Sequence, residues 1–195
     1  MRSTLLRTPR LLLRVLSAED GAEFVRAHRA SAELYRPWLP APPPGDTPEA
    51  HFARELETAT RGADQGLQLR LVGLLPSGQI AGFFGLSEIV RGVFQNAYAS
   101  WSVNAEVAGR GYATEGVRAL LDLAFTPLAR GGVGLHRVQA NVIPDNARSV
   151  RLAERVGLRY EGLARRYLRI AGEWRDHLMY ARTVEDHDAG GAPGT

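Results

Sequence analysis

The chain of 195 residues contains no cysteine and no lysine; all 24 of its basic residues are arginine. Without cysteine there is no disulfide framework, no thiolate nucleophile and no thiolate metal site, so any chemistry must come from oxygen and nitrogen groups. Long apolar runs are also missing. In the first 20 residues the longest is Leu11–Leu13, with arginines on either side, which predicts neither a signal peptide nor a membrane span and points to a cytoplasmic protein with no membrane partner. The net charge is only +3, too little to suggest direct binding of nucleic acid. His28, His51, His136 and His187 lack metal-ligand spacing, so no metal is expected.

What is present fits one domain of ordinary size, residues 1–187, followed by a glycine-rich tail at 188–195 expected to be disordered. Arg10–Leu16 predicts a strand, and Ser17 with Asp20 predicts a helix start leading to about His28. Four prolines between Pro40 and Pro44 mark a surface loop that also carries Trp38, an apolar group able to face a substrate cleft. Thr47–Pro48 opens a second helix to about Thr60. Leu67–Leu75 and Ile80–Leu86 flank a Pro76–Gly78 turn, and Ala97–Val103 is a further strand. From Tyr112, Val117, Leu120, Leu121, Ala124 and Phe125 recur at helical spacing. Leu135–Val142 predicts a strand, Ala147–Val156 a helix stopped by Gly157, and Arg159–Gly162 with Asp176–Thr183 the last two strands.

The chemistry concentrates where the strand ending at Val103 runs through Ala108, Gly109, Arg110 and Gly111 into the helix beginning Tyr112, Ala113, Thr114. Two glycines let backbone approach a ligand closely, and the free amides of a first helical turn favour an anion such as pyrophosphate. Beyond the next strand, Asn141, Asn146 and Ser149 form a second group; Asn146 and Ser149, three residues apart, share one helix face. A simple helix cap accounts for Asn146 equally well.

These residues resemble the GNAT acetyltransferase family, whose pattern of Gln or Arg, two residues, Gly, one residue, then Gly or Ala lies over Ala108–Ala113. Ala108 departs from it at the first position, and a modest weakening of pyrophosphate binding is the expected consequence. Val90–Gly92, His136–Asn141, Asn146–Ser149 and, above all, Tyr167, Leu168, Gly172, Trp174, Arg175, Asp176 and His177 resemble the ribosomal-protein-alanine N-acetyltransferase branch. The resemblance spans roughly Ile80–Thr183. It implies an α/β GNAT fold with a mixed central sheet of about six to seven strands flanked by about four helices.

It also implies an acetyl-CoA-dependent N-acetyltransferase acting by direct transfer, with acetyl-CoA and an amine as partners and a homodimer as a family expectation. The strand before the glycine turn would splay from its neighbour and offer a backbone amide near Ser102 or Val103 to the thioester carbonyl. Many members place a Tyr acid seven residues after the helix-start Asn, where this chain has Ala153. Ser149, one turn earlier, resembles the serine assigned that role in the ribosomal branch. Glu88 is the candidate base and His177 the alternative, in a turn Trp174–His177 near a cleft that Trp38, Tyr167 and Trp174 would help to form. An α-amine, with a pKa of ~7.7 to 8, has a substantial neutral fraction at cytoplasmic pH, which favours protein N-termini over lysine. A small-molecule amine acceptor and a non-catalytic acyl-CoA sensor are the alternatives.

Overall fold

The computed structural model describes residues 5–191. Leu5–Arg7 (β1) and Leu12–Val15 (β2) pair antiparallel, and Asp20 then turns the chain out of the sheet. Its carboxylate accepts the Ser17 amide at 2.8 Å and two Arg14 guanidinium bonds at 2.8 and 2.6 Å. Burial pushes this carboxyl up most strongly, but the bonds from Arg14 and Ser17 together outweigh it and hold the group below its ordinary value. Helix α1 (Gly21–Tyr35) follows, burying Phe24, Ala27 and Ser31 on one face. Helix α2 (Pro48–Gln65) outruns its expected end at Thr60, whose hydroxyl is satisfied inside the helix by the Leu56 carbonyl.

The remaining strands are β3 (Leu69–Leu74), β4 (Ile80–Val90), β5 (Asn96–Val103), β6 (Arg137–Val142), β7 (Arg159–Ile170) and β8 (Glu173–Thr183). They complete one eight-stranded sheet in the order β1-β2-β3-β4-β5-β6-β8-β7. Every neighbouring pair is antiparallel except β5 and β6, which are parallel and therefore need the crossover supplied by α3 (Tyr112–Phe125). Helix α4 (Ala147–Arg155) links β6 to β7, and α5 (Val184–Gly191) follows β8.

The described residues thus hold eight strands and five α-helices, more than the sequence pattern suggests. β1 has three residues, too few to show a period. The supposed tail is helical through Gly191, and residues 192–195 lie outside the described residues. The final hairpin is longer than its expected strands because both partners continue to a tight turn at Ala171 and Gly172, each with positive φ (49° and 89°).

Two apolar layers cover the sheet. On one face Val117, Leu120 and Leu121 of α3 and Leu152 and Ala153 of α4 pack against Phe84, Ala97, Ala99, Val138 and Ala140. Gly116 makes the contact close: a Cβ there would lie 2.1 Å from the Phe84 ring. On the other face Phe24 and Ala27 of α1 and Ala59 of α2 meet Leu16, Val72 and Ile80. The sheet between β5 and β6 is left for the site.

Candidate active site

β5 and β6 share three paired positions, Asn96–Arg137, Ala97–Val138 and Tyr98–Gln139. β5 nevertheless stays paired with β4 as far as Val103, and β6 with β8 as far as Val142. The two parallel strands therefore diverge beyond Tyr98, leaving a wedge in the middle of the sheet. Backbone groups alternate sides along a strand, and the Asn104 amide donates to the Ala81 carbonyl at 2.9 Å. Ser102 shares that parity, so of the two expected positions its amide faces β4 and not the wedge. Val103 does face the wedge, but its amide donates to the Tyr35 hydroxyl at 2.6 Å. The Trp101 amide, of wedge-facing parity, remains as the donor beside the opening.

At the end of β5 the chain passes through a short 3-10 turn at Ala105–Val107 into the glycine segment. Gly109 and Gly111 have φ of 81° and 85°, a left-handed conformation that costs other residues energy, and Gly111 is the N-cap of α3. The first intrahelical bond is the Glu115 amide to the Gly111 carbonyl, so the amides of Tyr112, Ala113 and Thr114 have no helical acceptor. Together with the helix dipole they form an anion cradle. Ala108 is half-buried against the core, where its methyl group packs, and Arg110 is exposed with its carbonyl taken by Arg10 at 2.8 Å.

Arg10 and Glu115 were not evident from the sequence. The Glu115 carboxylate accepts from the Arg10 amide at 2.8 Å, its Nε at 2.6 Å and the Thr8 hydroxyl at 2.5 Å. The Arg10 guanidinium also lies 4.6 Å from the centroid of the Tyr112 ring. Burial pushes the Glu115 carboxyl up, yet the bonds from Thr8 and Arg10 leave it below its ordinary value. This brace fixes the cradle to the turn between β1 and β2. Its two halves lie 105 residues apart, so no local motif could have announced it.

Asn146 caps α4, its side chain accepting the Ser149 amide at 3.2 Å. The Ser149 hydroxyl oxygen accepts from Trp101 Nε1 at 3.4 Å, which brings Ser149 to the β5 side of the wedge. Asn141 does not join them. Val138, Ala140 and Val142 occupy the α3–α4 face, so Gln139 and Asn141 project to the other. There Asn141 accepts from Gln139 Nε2 at 3.0 Å and donates to the Tyr167 hydroxyl at 3.4 Å, away from the cradle.

Tyr167 is aimed by a bulge in β7, where Arg166 has φ of 48° and donates its amide to Asp176 at 2.7 Å. Its ring meets His177 edge-on at 5.7 Å. His177 is 3% exposed, and burial holds its pKa below the ordinary imidazole value although a bond between Nδ1 and the Arg175 carbonyl opposes the shift. Tyr98 stands beside Tyr167, its pKa raised first by burial and then by that neighbour. The structure thus gathers Tyr98, Asn141, Tyr167 and neutral His177 on the face opposite α3 and α4.

Two expected positions change. Glu88 does not end its strand; it sits within β4 at a bulge, exposed, with φ of 49°, and Tyr98 lies within its electrostatic reach. Trp174 is part of β8 and not of a turn; strand alternation sends it to the face opposite His177, where it is 62% exposed. Trp38 is half-buried in the loop after α1, and its neighbour Leu39 accepts the Ala171 amide of the β7–β8 turn at 3.3 Å.

A mixed sheet opened between two parallel strands, with an anion cradle at the start of the crossover helix, is the GNAT fold. The model of the acetyltransferase (GNAT) domain matches residues 10–159. The chain therefore belongs to the GNAT acetyltransferase family, enzymes that draw on acetyl-CoA. It is 29% identical over 187 residues to the [ribosomal protein uS5]-alanine N-acetyltransferase of Escherichia coli, covering 95% of this chain and 93% of that one. It is 37% identical over 103 residues to the probable N-acetyltransferase YjcK of Bacillus subtilis, covering 53% and 54% of the two chains. The solved structure of Mycobacterium smegmatis RimJ in complex with CoA-disulfide superposes with a TM-score of 0.80 at 29% identity, covering 97% of this chain and 94% of that one.

Proposed function

We propose that the protein acetylates the N-terminal amine of a protein beginning with alanine, by direct transfer from acetyl-CoA within a ternary complex. The cradle at Gly109–Thr114 would take the pyrophosphate, and the acyl arm would run into the wedge past Trp101. The observation that carries this reading is the two-sided arrangement about the wedge: a hydroxyl, Ser149, on the α4 side, and a neutral cluster of Tyr98, Asn141, Tyr167 and His177 on the other.

The amine arrives from the cluster side and attacks the thioester carbon. The C–S bond then breaks, the carbonyl charge being met by the Trp101 amide and the departing thiolate accepting a hydrogen bond from the Ser149 hydroxyl, which can relay a proton from solvent to the sulfur and so ends protonated as it began. The amine's proton leaves to the cluster side, either to neutral His177 or through water to Glu88. Burial lowers the His177 pKa and so favours the neutral imidazole, the form that can accept a proton. Likeness over 95% of the chain to the uS5-alanine enzyme supports alanine as the terminal residue.

Mass spectrometry of a peptide with both a free alanine terminus and an internal lysine, incubated with acetyl-CoA, tests the acceptor. Acetylation at the terminus alone is expected. Acetylation mainly at the lysine, or turnover of an aminoglycoside or polyamine and no peptide, would remove the protein-terminus reading and leave the acetyl-CoA chemistry. Binding of acetyl-CoA without transfer to any amine would favour a sensor.

A further inference from the structure

A residue in a β-strand presents its N–H and C=O to the same side, so each wedge-facing position of β5 has one donor and one acceptor without a strand to receive them. At Val103 both are satisfied by one group. The Tyr35 hydroxyl accepts the Val103 amide at 2.6 Å and donates to the Val103 carbonyl at 2.8 Å, from the last residue of α1. Val103 is buried, so losing these bonds would leave two backbone groups poorly solvated. The same helix also fixes the chain just beyond Val103 and the start of β4. Ser31, one turn earlier, accepts the Ala105 amide at 3.0 Å, Arg26 bonds Glu106 at 2.6 Å, and Glu23 accepts the Ile80 amide at 2.9 Å.

We propose that Tyr35 is a positioning residue that holds the wedge open: by occupying both hydrogen-bonding groups of Val103 it keeps the end of β5 from closing on β6 and fixes the Trp101 amide two residues away. This rests on the acetyl-transfer reading above. It assigns Tyr35 no contact with substrate. The cradle amides lie beyond Val103 and remain tied by Arg10 and Glu115, so loss of the hydroxyl should disturb the transfer geometry more than the binding of pyrophosphate.

The test is Tyr35→Phe in the full chain, with amide hydrogen exchange, acetyl-CoA calorimetry and thiol-release kinetics. Val103 exchange should accelerate tenfold or more and kcat should fall by about tenfold, a factor equivalent to one modest hydrogen bond, while the acetyl-CoA dissociation constant moves less than about threefold. Unchanged Val103 exchange overturns the proposal, as does faster exchange with kcat intact or an equal loss in affinity and kcat. If the variant does not fold, wild-type exchange decides. The Val103 amide should be protected before any ligand is added, and the Trp101 amide should gain protection only with acetyl-CoA; fast exchange at Val103 overturns the idea. Should the wild type transfer to no amine, the acetyl-transfer reading fails separately. Tyr35 is then judged by whether its variant abolishes the acetyl-CoA-dependent protection at Trp101.

Discussion

Ser149 shows how much one hydrogen bond can decide. An indole N–H can only donate, so the bond from Trp101 Nε1 makes the Ser149 oxygen an acceptor and leaves the hydroxyl hydrogen free to bond a leaving sulfur. A group used chiefly when the thiolate forms stabilises the transition state more than the bound substrate. Ser149→Ala should therefore lower kcat by about tenfold or more and change the Michaelis constant for acetyl-CoA less than about twofold. Steady-state kinetics would check it, and a raised Michaelis constant with unchanged kcat would return Ser149 to a binding or helix-start role. At this scale, the left-handed turn at Gly109 and Gly111 and the Asn146 cap on the Ser149 amide were legible because their signals are local. The direction of the Ser102 and Val103 amides was not legible, because strand parity depends on pairing with β4, and a slip of one residue reverses every amide.

Among the elements, α3 was legible from its apolar recurrence and its contact with the sheet depends on one missing side chain. Phe84 is fully buried and cannot retreat from a Cβ at Gly116. Gly116→Ala should cost about 1–3 kcal/mol through overpacking, despite the better helix propensity of alanine. Thermal denaturation should show a fall of several degrees, and an unchanged or raised Tm would mean that α3 can shift. The β7–β8 hairpin was underestimated for a different reason. β7 is exposed along most of its length, with arginines at 159, 165, 166 and 169, so it lacks the apolar alternation that marks a half-buried strand.

The packing of α1 on α2 carries a pH dependence. The His28 and His51 rings lie 4.7 Å apart beside Phe24. Burial first, and the neighbouring His51 second, hold the His28 pKa below its ordinary value, with Asp46 opposing weakly. A depressed folded pKa means that the folded state binds protons less readily than the unfolded chain. His28 therefore supports stability above the unfolded value of about 6.5, and that support is lost as pH falls through the lower folded value. Tm should drop between pH 7.5 and 5.5 by more in the wild type than in His28→Phe, which keeps the stack and removes the charge. Equal drops in the two proteins would assign the acid sensitivity elsewhere.

At the scale of the molecule, the α/β class and the GNAT arrangement were legible from the glycine turn and the residues after it. What holds that arrangement in place was not. The brace from Arg10 to Glu115, the clasp of Tyr35 on Val103 and the bridge from Leu39 to Ala171 each join distant parts of the chain, and only the folded sheet brings them together. These three contacts tie the cradle, the end of β5 and the β7–β8 turn to the N-terminal part of the chain. No helix among the described residues is long and apolar enough to cross a membrane.

The central claim is that acetyl-CoA enters between β5 and β6 with its pyrophosphate on the start of α3. A titration of the isotopically labelled protein with acetyl-CoA, followed by backbone amide resonances, tests it most directly. The largest shifts should fall on Trp101 and on Gly109 through Thr114, with smaller ones at Ser149 and little change in β1 or α2. Shifts confined to another cleft, such as that lined by Arg118, Arg155 and Arg182, with Trp101 and the glycine turn unmoved, would contradict the account.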